Sequence, residues 1–241
     1  MPQAVKEINV NEIAELTDRE FKLISQLIYD KFGIILGEQK RSLIIGRLNK
    51  ILRENGFTTF EQYYDYVQHD STGRALNGLI DRISTNHTFF WRENDHFTYF
   101  SQTALPHIVK ILKDRGEHDL RIWCAGCSSG EEPYTLAMLI AEHLGRDIGF
   151  WEIGILATDI SSKVLAMAKT GIYSDENVAH MPTVLKTKYF DQLADNTWKV
   201  NDKLKKMVLY RRLNLMREDY PFRKKFQTIF CRNVMIYFDK P

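Results

Sequence analysis

Arg121-Ile-Trp-Cys-Ala-Gly-Cys-Ser-Ser-Gly-Glu-Glu-Pro-Tyr134 is the stretch that decides the fold. It begins as an apolar strand, runs through small residues from Ala125 to Gly130, and opens a helix at Glu131, Glu132 and Pro133. Small residues let a backbone approach a ligand closely. The spacing is not the phosphate-binding G-x-G-x-x-G, and two carboxylates at the helix start would repel a pyrophosphate. They suit a ligand that carries hydroxyls and positive charge. An ordinary strand-to-helix turn, with acidic residues favouring the positive end of the helix dipole, fits the same residues. Both readings stand at this point.

Around this stretch, strands and helices alternate. Leu120–Ala125, Glu152–Thr158, Met207–Leu213 and Phe226–Arg232 read as strands, and Glu131–Leu144, Ser161–Thr170 and Pro182–Phe190 as helices. One or two helices precede them over Glu93–Lys113, with Pro106 starting the second. This alternation predicts an α/β fold, a parallel sheet with helices on both faces and a ligand site at the carboxyl ends of the strands. Asp159 ends the second strand, where a ribose diol is gripped in such folds, although a carboxylate there also serves as a neighbour to a helix cap. Arg232 and Asn233 interrupt an apolar stretch and need partners if buried.

The first third is helical. Thr17-Asp18-Arg19-Glu20 is a capping box ahead of Phe21, Ile24, Leu27 and Ile28, and Gly33 closes that helix. Helices follow over Gln39–Asn55, from Thr58-x-x-Glu61, and over Arg74–Ile83, making a small bundle. Lys40, Arg47, Lys50 and Arg53 share an arc of about 140° opposite the apolar face of the second helix. This arc is either a solvated face or a docking surface for an acidic helix. RNA fits less well, because no aromatic platform is interleaved.

The bulk numbers limit the alternatives. The 241 residues carry a net charge of +2 and are 44 % hydrophobic, so there is no global pull toward nucleic acid or membrane. Three cysteines fit a reducing compartment better than a disulfide framework. No apolar run is long enough for a membrane span, and the polar start, Met1 to Glu20, is not a signal peptide. Cys124 and Cys127 read as small loop residues rather than a zinc or redox pair, and no histidine spacing suggests a metal.

Asn86-His-Thr-Phe-Phe-Trp-Arg-Glu93, Gly130-Glu-Glu-Pro-Tyr134, Ala157-Thr-Asp-Ile160, Asn214-Leu215 and Phe230-Cys-Arg-Asn-Val-Met-Ile-Tyr-Phe-Asp239 occur in this order. Together they resemble the chemotaxis receptor methyltransferases, the CheR family, over nearly the whole chain. The resemblance implies a class I, Rossmann-like S-adenosylmethionine-dependent methyltransferase domain over 85–241, after an all-α receptor-docking domain over 1–84. It implies a small antiparallel β-subdomain at about 190–206. Cofactor contacts would map to Asn86, Thr88, Arg92, Glu132, Asp159, Asn214, Leu215, Arg232 and Asn233, with S-adenosylhomocysteine as product and no metal. Arg92 and Tyr237 would orient a glutamate carboxylate, with a salt bridge to Glu93 or Asp95 the other reading of Arg92 and core packing the other reading of Tyr237. Lys40, Arg47, Lys50 and Arg53 would meet the glutamate-rich cytoplasmic helices of receptors, and the chain would act in the cytoplasm without inserting into the membrane.

Two departures from the family pattern qualify these expectations. The Phe190–Leu204 segment is short and has no glycine, so tethering to a receptor's tail peptide is not expected. Similar proteins continue through three more strands after the point where this sequence stops. A C-terminally truncated sheet, with Phe226–Arg232 as an apolar edge prone to self-association, is therefore expected. A fragment, a non-catalytic cofactor-binding or docking module, and a methyltransferase acting on RNA or a small molecule are the rival readings.

Overall fold

The computed structural model describes residues 14–194 and 196–238. Asp195, within the short loop discussed above, and Asp239, the end of the last quoted motif, lie outside the described residues, as does the stretch before Ala14. The chain divides into two compact units, one reaching to Ser84 and including Tyr237 and Phe238, the other spanning Thr85–Ile236.

The helical unit contains α1 (Asp18–Phe32), α2 (Arg41–Glu54), α3 (Phe60–His69) and α4 (Arg74–Ile83). Thr17 and Glu20 form the full capping box of α1, and Glu20 Oε1 also accepts from the Glu61 N–H at 2.9 Å, which ties α1 to the start of α3. The cap of α3 is Thr59 rather than Thr58, because Thr59 accepts from the Gln62 N–H while Thr58 is held by the Gln62 side chain. The apolar faces meet as their spacing predicts: Phe21, Ile24, Ile28, Ile44, Leu48, Leu52, Phe60, Tyr63, Leu79 and Ile80 are all at most 4 % exposed. Each such side chain contributes about 1.5–3 kcal/mol on burial.

The basic arc of α2 does not survive intact. The Arg47 guanidinium donates to the carbonyls of Arg82, Ile83 and Ser84 at 3.1, 2.8 and 3.0 Å, so it closes the C-terminal end of α4 instead of facing outward. A helix end leaves its last carbonyls unsatisfied, and a cation there answers both the missing bonds and the dipole. Lys40 is half-buried with its ammonium 4.8 Å from the Tyr237 ring centroid, and burial lowers its pKa. Lys50 and Arg53 are exposed, Lys50 lying 3.7 Å from Glu54.

The second unit is built on a four-stranded parallel sheet of β1 (Asp119–Ala125), β2 (Glu152–Asp159), β6 (Val208–Arg212) and β7 (Thr228–Phe230), in the order β6-β2-β1-β7. α5 (Asn94–Tyr99), a π turn at Phe100–Ala104 and α6 (Leu105–Asp114) precede it. Pro106 falls in the first turn of α6, where its missing N–H does least harm. α7 (Glu131–Leu144) and α8 (Ser162–Thr170) follow β1 and β2. One face of the sheet, with Leu120, Ile122, Cys124, Ile155, Ala157, Tyr210 and Phe230, shares a core with these helices. On the other face, the covering among the described residues is a loop and not a helix, contrary to the sequence expectation: Tyr220, Phe222 and Phe226 ring Trp123. β7 is three residues long, shorter than the Phe226–Arg232 run, with Ile229 55 % exposed.

A second, antiparallel sheet has the order β3-β5-β4 and consists of β3 (Ile172–Ser174), β4 (Phe190–Gln192) and β5 (Thr197–Val200). α9 (Asp175–Val178) and α10 (Thr183–Tyr189) lie between its strands, and α11 (Asp202–Lys205) leads from it to β6. It takes in a strand, β3, that lies ahead of the 190–206 segment read from the sequence. All four strands of the main sheet run parallel, so Ala125, Asp159, Arg212 and Phe230 end on one edge, and strand order reverses there between β2 and β7 about β1.

Candidate cofactor and methyl-transfer site

The loop after β1 turns through three positive-φ residues, Gly126 (85°), Ser128 (48°) and Gly130 (99°). It is pinned to β2 by N–H groups: Gly126 and Cys127 both donate to the Thr158 carbonyl, at 2.8 and 2.9 Å. The glycines answer to packing within the protein. A β-carbon on Gly126 would lie 2.3 Å from Val234 Cγ2, and one on Gly130 would meet Tyr210 Oη, Ala168 Cβ and Tyr173 Oη at 2.8–2.9 Å.

Asp159, 8 % exposed, braces this loop. Its Oδ2 accepts from the Ser128 N–H at 2.8 Å and its Oδ1 from the Ser161 N–H at 3.0 Å, while Ser161 is the side-chain cap of α8. Its carbonyl accepts from the Leu213 N–H at 3.0 Å, which brings the segment that continues into Asn214 and Leu215 to the end of β2. Asn214 Oδ1 holds the Met216 N–H, and Leu215 packs with the Trp123 cluster. On the other side of the loop, Ser128 Oγ donates to the Asn86 carbonyl at 3.3 Å, and Thr88 follows half-buried.

The two glutamates that open α7 separate in role. Glu131, 1 % exposed, turns inward to Ser129 Oγ and to Asn177, and burial pushes its carboxyl up to about 6. Glu132 turns toward Arg232, whose Nη1 donates to its Oε2 at 3.2 Å. Burial pushes Glu132 up to about 7, with the Arg232 charge pulling the other way. Arg232 is 11 % exposed at its side chain, and its Nη2 donates to the Arg92 carbonyl and to Glu93 Oε2. Its Nε is buried without a hydrogen-bond partner among the described residues. Asn233, at φ 56°, donates to Glu93 Oε1 at 2.9 Å.

Glu132, Arg232, Asn233 and the backbone of Arg92 thus converge, with Asp159, Asn86 and Asn214 around the loop beside them. The Arg92 side chain is 28 % exposed and folds over its own segment, donating to the His87 carbonyl at 2.5 Å with Nε 3.8 Å from Glu93. Tyr237 is not among the side chains this unit brings together. It groups with the helical unit, where its carbonyl accepts from the Ile35 N–H and its ring lies against Lys40. Glu93, which sequence reading treated only as a neighbour of Arg92, holds both Arg232 and Asn233. Its adjacency to Arg92 was visible in the sequence, but its φ of 54° was not.

The three cysteines are free thiols. Burial raises Cys124 and Cys127 well above the usual thiol range, which leaves them poor nucleophiles and poor metal ligands. Among the described residues no group of three or more His, Cys, Asp or Glu is placed to hold a metal ion, and no helix is long and apolar enough to cross a membrane.

Residues 86–241 match the family model described as "CheR methyltransferase, SAM binding domain", and residues 19–84 match "CheR methyltransferase, all-alpha domain". The chain is 44 % identical over 233 residues to the "Chemotaxis protein methyltransferase" of Borreliella burgdorferi, covering 97 % of this chain and 81 % of that protein. It is 35 % identical over 236 residues to the protein of the same name from Escherichia coli, covering 97 % and 79 %. Against the "Probable chemotaxis protein methyltransferase" of Rhizobium etli it is 35 % identical over 218 residues, covering 89 % and 80 %.

Proposed function

The chain belongs to the CheR methyltransferase family, and from that premise we propose that it moves a methyl group from S-adenosylmethionine to glutamate carboxylates on the cytoplasmic helices of chemotaxis receptors. The observation that carries this reading is the donor set at the carboxyl ends of β1 and β2. Two carboxylates, Glu132 and Asp159, sit there in largely buried positions, with the Arg232 guanidinium bonded to Glu132 beside them. Such a set suits a ligand with hydroxyls, a cationic centre and a carboxylate of its own, and rejects a phosphate. The residues that would hold S-adenosylmethionine are Asn86, Thr88, Arg92, Glu132, Asp159, Asn214, Leu215, Arg232 and Asn233.

When bound, that cofactor supplies an electrophilic methyl group on a sulfonium that is its own leaving group. A glutamate side chain is already ionised at neutral pH, with a free pKa of ~4.3, so the protein needs no general base. Positioning and exclusion of water remain as its work. Arg92 is the orienting cation: it is partly exposed, and its present partners are a carbonyl and a distant carboxylate, both exchangeable for a substrate carboxylate.

Asp159→Ala is expected to have two separable effects. Loss of the Ser128 and Ser161 bonds costs about 1–3 kcal/mol of stability, and loss of a charged ligand contact costs roughly 1.5–3 kcal/mol of binding. Denaturant titration and calorimetry with S-adenosylhomocysteine read them independently. Unchanged affinity in the folded variant would remove Asp159 from the ligand.

The exposed cations of α2 serve the receptor. Reversing Lys50 and Arg53 to Glu is expected to lower methyl transfer to receptor several-fold while leaving cofactor affinity intact. Arg47 is kept out of this test because its loss would uncap α4. Transfer equal to the parent's would reduce Lys50 and Arg53 to a solvated face. The turn between β4 and β5 is short, with the Leu193 N–H donating to the Thr197 carbonyl at 2.8 Å. We take the receptor's tail not to be held there, and a titration with a tail peptide is expected to show no saturable binding.

The reading as a whole is tested by methylating a soluble receptor fragment and mapping the product by mass spectrometry. One added methyl on glutamate side chains supports it. Methyl groups on other residue types, or none, contradict it.

A further inference from the structure

Glu93 is the N-cap residue of α5, yet its side chain makes no cap hydrogen bond there. A carboxylate at that position normally accepts from its own helix's free N–H groups, which stabilises the helix start. Here the carboxylate is directed instead to residues far along the chain. Oε1 accepts from Asn233 Nδ2 at 2.9 Å and Oε2 from Arg232 Nη2 at 3.2 Å. A third bond, from Arg232 Nη2 to the Arg92 carbonyl, joins the same two segments. Both segments pass through left-handed backbone at this point, with φ 54° at Glu93 and 56° at Asn233. For a glutamate that conformation is unfavourable and persists only where surrounding contacts hold it.

We propose that Glu93 is a positioning residue for the cofactor site. It fixes the Arg232–Asn233 corner against the Arg92 segment and divides the Arg232 charge between itself and Glu132. This rests on the cofactor reading above, although one of its tests needs no cofactor. Glu93 does not reach the ligand in this scheme. Its effect passes through Arg232, which meets Glu132 with Nη1 while Nη2 is held by Glu93.

The charge division gives a signature that a merely structural residue lacks. Glu132 is faced by Arg232 and Cys231 from the segment after β7, by Glu93 from the start of α5, by Cys124 from β1 and by Cys127 from the loop. Glu93 is faced by Arg92, His96, Arg232 and Asn233. Removing the Glu93 charge ends its repulsion of Glu132 and leaves Glu132 as the one carboxylate bonded to Arg232 among the described residues. Both changes favour the ionised form of Glu132, so its titration moves to lower pH.

The experiment compares the full chain with Glu93→Ala and Glu93→Gln. Carboxyl-carbon NMR follows the titration of Glu132 without ligand, and calorimetry measures affinity for S-adenosylhomocysteine. His96 Nδ1 lies 3.4 Å from Glu93 Oε2, so the titration is repeated on a His96→Asn background. In Glu93→Ala, Glu132 is expected to titrate lower and affinity to fall about ten- to hundredfold. Glu93→Gln is expected to show the same downward titration. Its affinity should stay closer to the parent's, because the Asn233 amide can turn over to accept from the new amide while the Gln oxygen still accepts from Arg232. If the Ala variant does not fold, the Gln variant alone carries the titration. An unmoved Glu132 titration, or affinity in folded Glu93→Ala within about twofold of the parent's, overturns the proposal. If the parent itself binds no S-adenosylhomocysteine, the cofactor reading fails, while the ligand-free titration still decides the role of Glu93.

Discussion

Gly130→Ala is expected to lower stability by about 2–5 kcal/mol, a large part of the 5–15 kcal/mol typical of a folded protein. Two costs add. The backbone at φ 99° is strained for any residue with a β-carbon. The new methyl also arrives 2.8–2.9 Å from Tyr210 Oη, Ala168 Cβ and Tyr173 Oη, in a wall with little room to give. Tyr173 is held by its bond to the Ser129 carbonyl at 2.7 Å, so relief there would disturb the loop that leads into Glu131 and Glu132 at the start of α7. Gly116→Ala is the matched control. Gly116 also has a positive φ, 70°, but nothing lies within 4 Å of an added β-carbon. It should cost only about 1 kcal/mol. Denaturant midpoints of the two variants separate the steric part from the conformational part. Equal losses would mean that the tyrosine wall gives way and does not shape the loop.

Arg232→Leu is expected to show a cost that depends on pH, about 2–4 kcal/mol at pH 8 and about 1–2 kcal/mol less below pH 6, where the bonds to Glu93 and the Arg92 carbonyl are lost all the same. In the parent, Glu132 titrates at about 7 in the fold against its ordinary 4.5. The native state therefore holds the proton between those values, and the contribution of Glu132 to stability falls as pH rises through that window. Without Arg232 the attractive charge is gone and the folded value rises further, so the loss continues to higher pH. At low pH the protonated carboxyl is neutral and has less need of a partner. Stability curves measured at several pH values read this directly. A cost that stays constant from pH 5.5 to pH 8 would show that the Arg232–Glu132 pair carries little of the energy.

What could be read in the sequence follows from how local each signal is. The Thr17–Glu20 capping box, the apolar spacing of α1 to α4 and the strand-loop-helix at Arg121–Tyr134 are short-range patterns, and they appear where expected. The parallel sheet follows from alternation alone. Features that depend on distant partners were not legible. Arg47 looks like any surface cation until α4 places three carbonyls beside it. β3 is three residues long and gains its identity from pairing with β5. The small residues at Gly126 and Gly130 suggested the close approach of a ligand, whereas the packing of Val234 and the tyrosines against them could not be read from the sequence. Glu93 has no motif of its own, because its role lies in two bonds to residues 232 and 233.

The central claim is that the chain forms carboxylate esters on receptors. Its most direct test is transfer of labelled methyl from S-adenosylmethionine to receptor-enriched membranes, followed by mild alkali. Carboxyl esters hydrolyse under those conditions, so incorporated label is expected to be released as volatile methanol, and incorporation to be abolished when the receptor's glutamates are replaced by alanine. Label that resists alkali would point to methylation of nitrogen or another stable site. Cofactor binding without any transfer would point to a non-catalytic module. Either result would contradict the account.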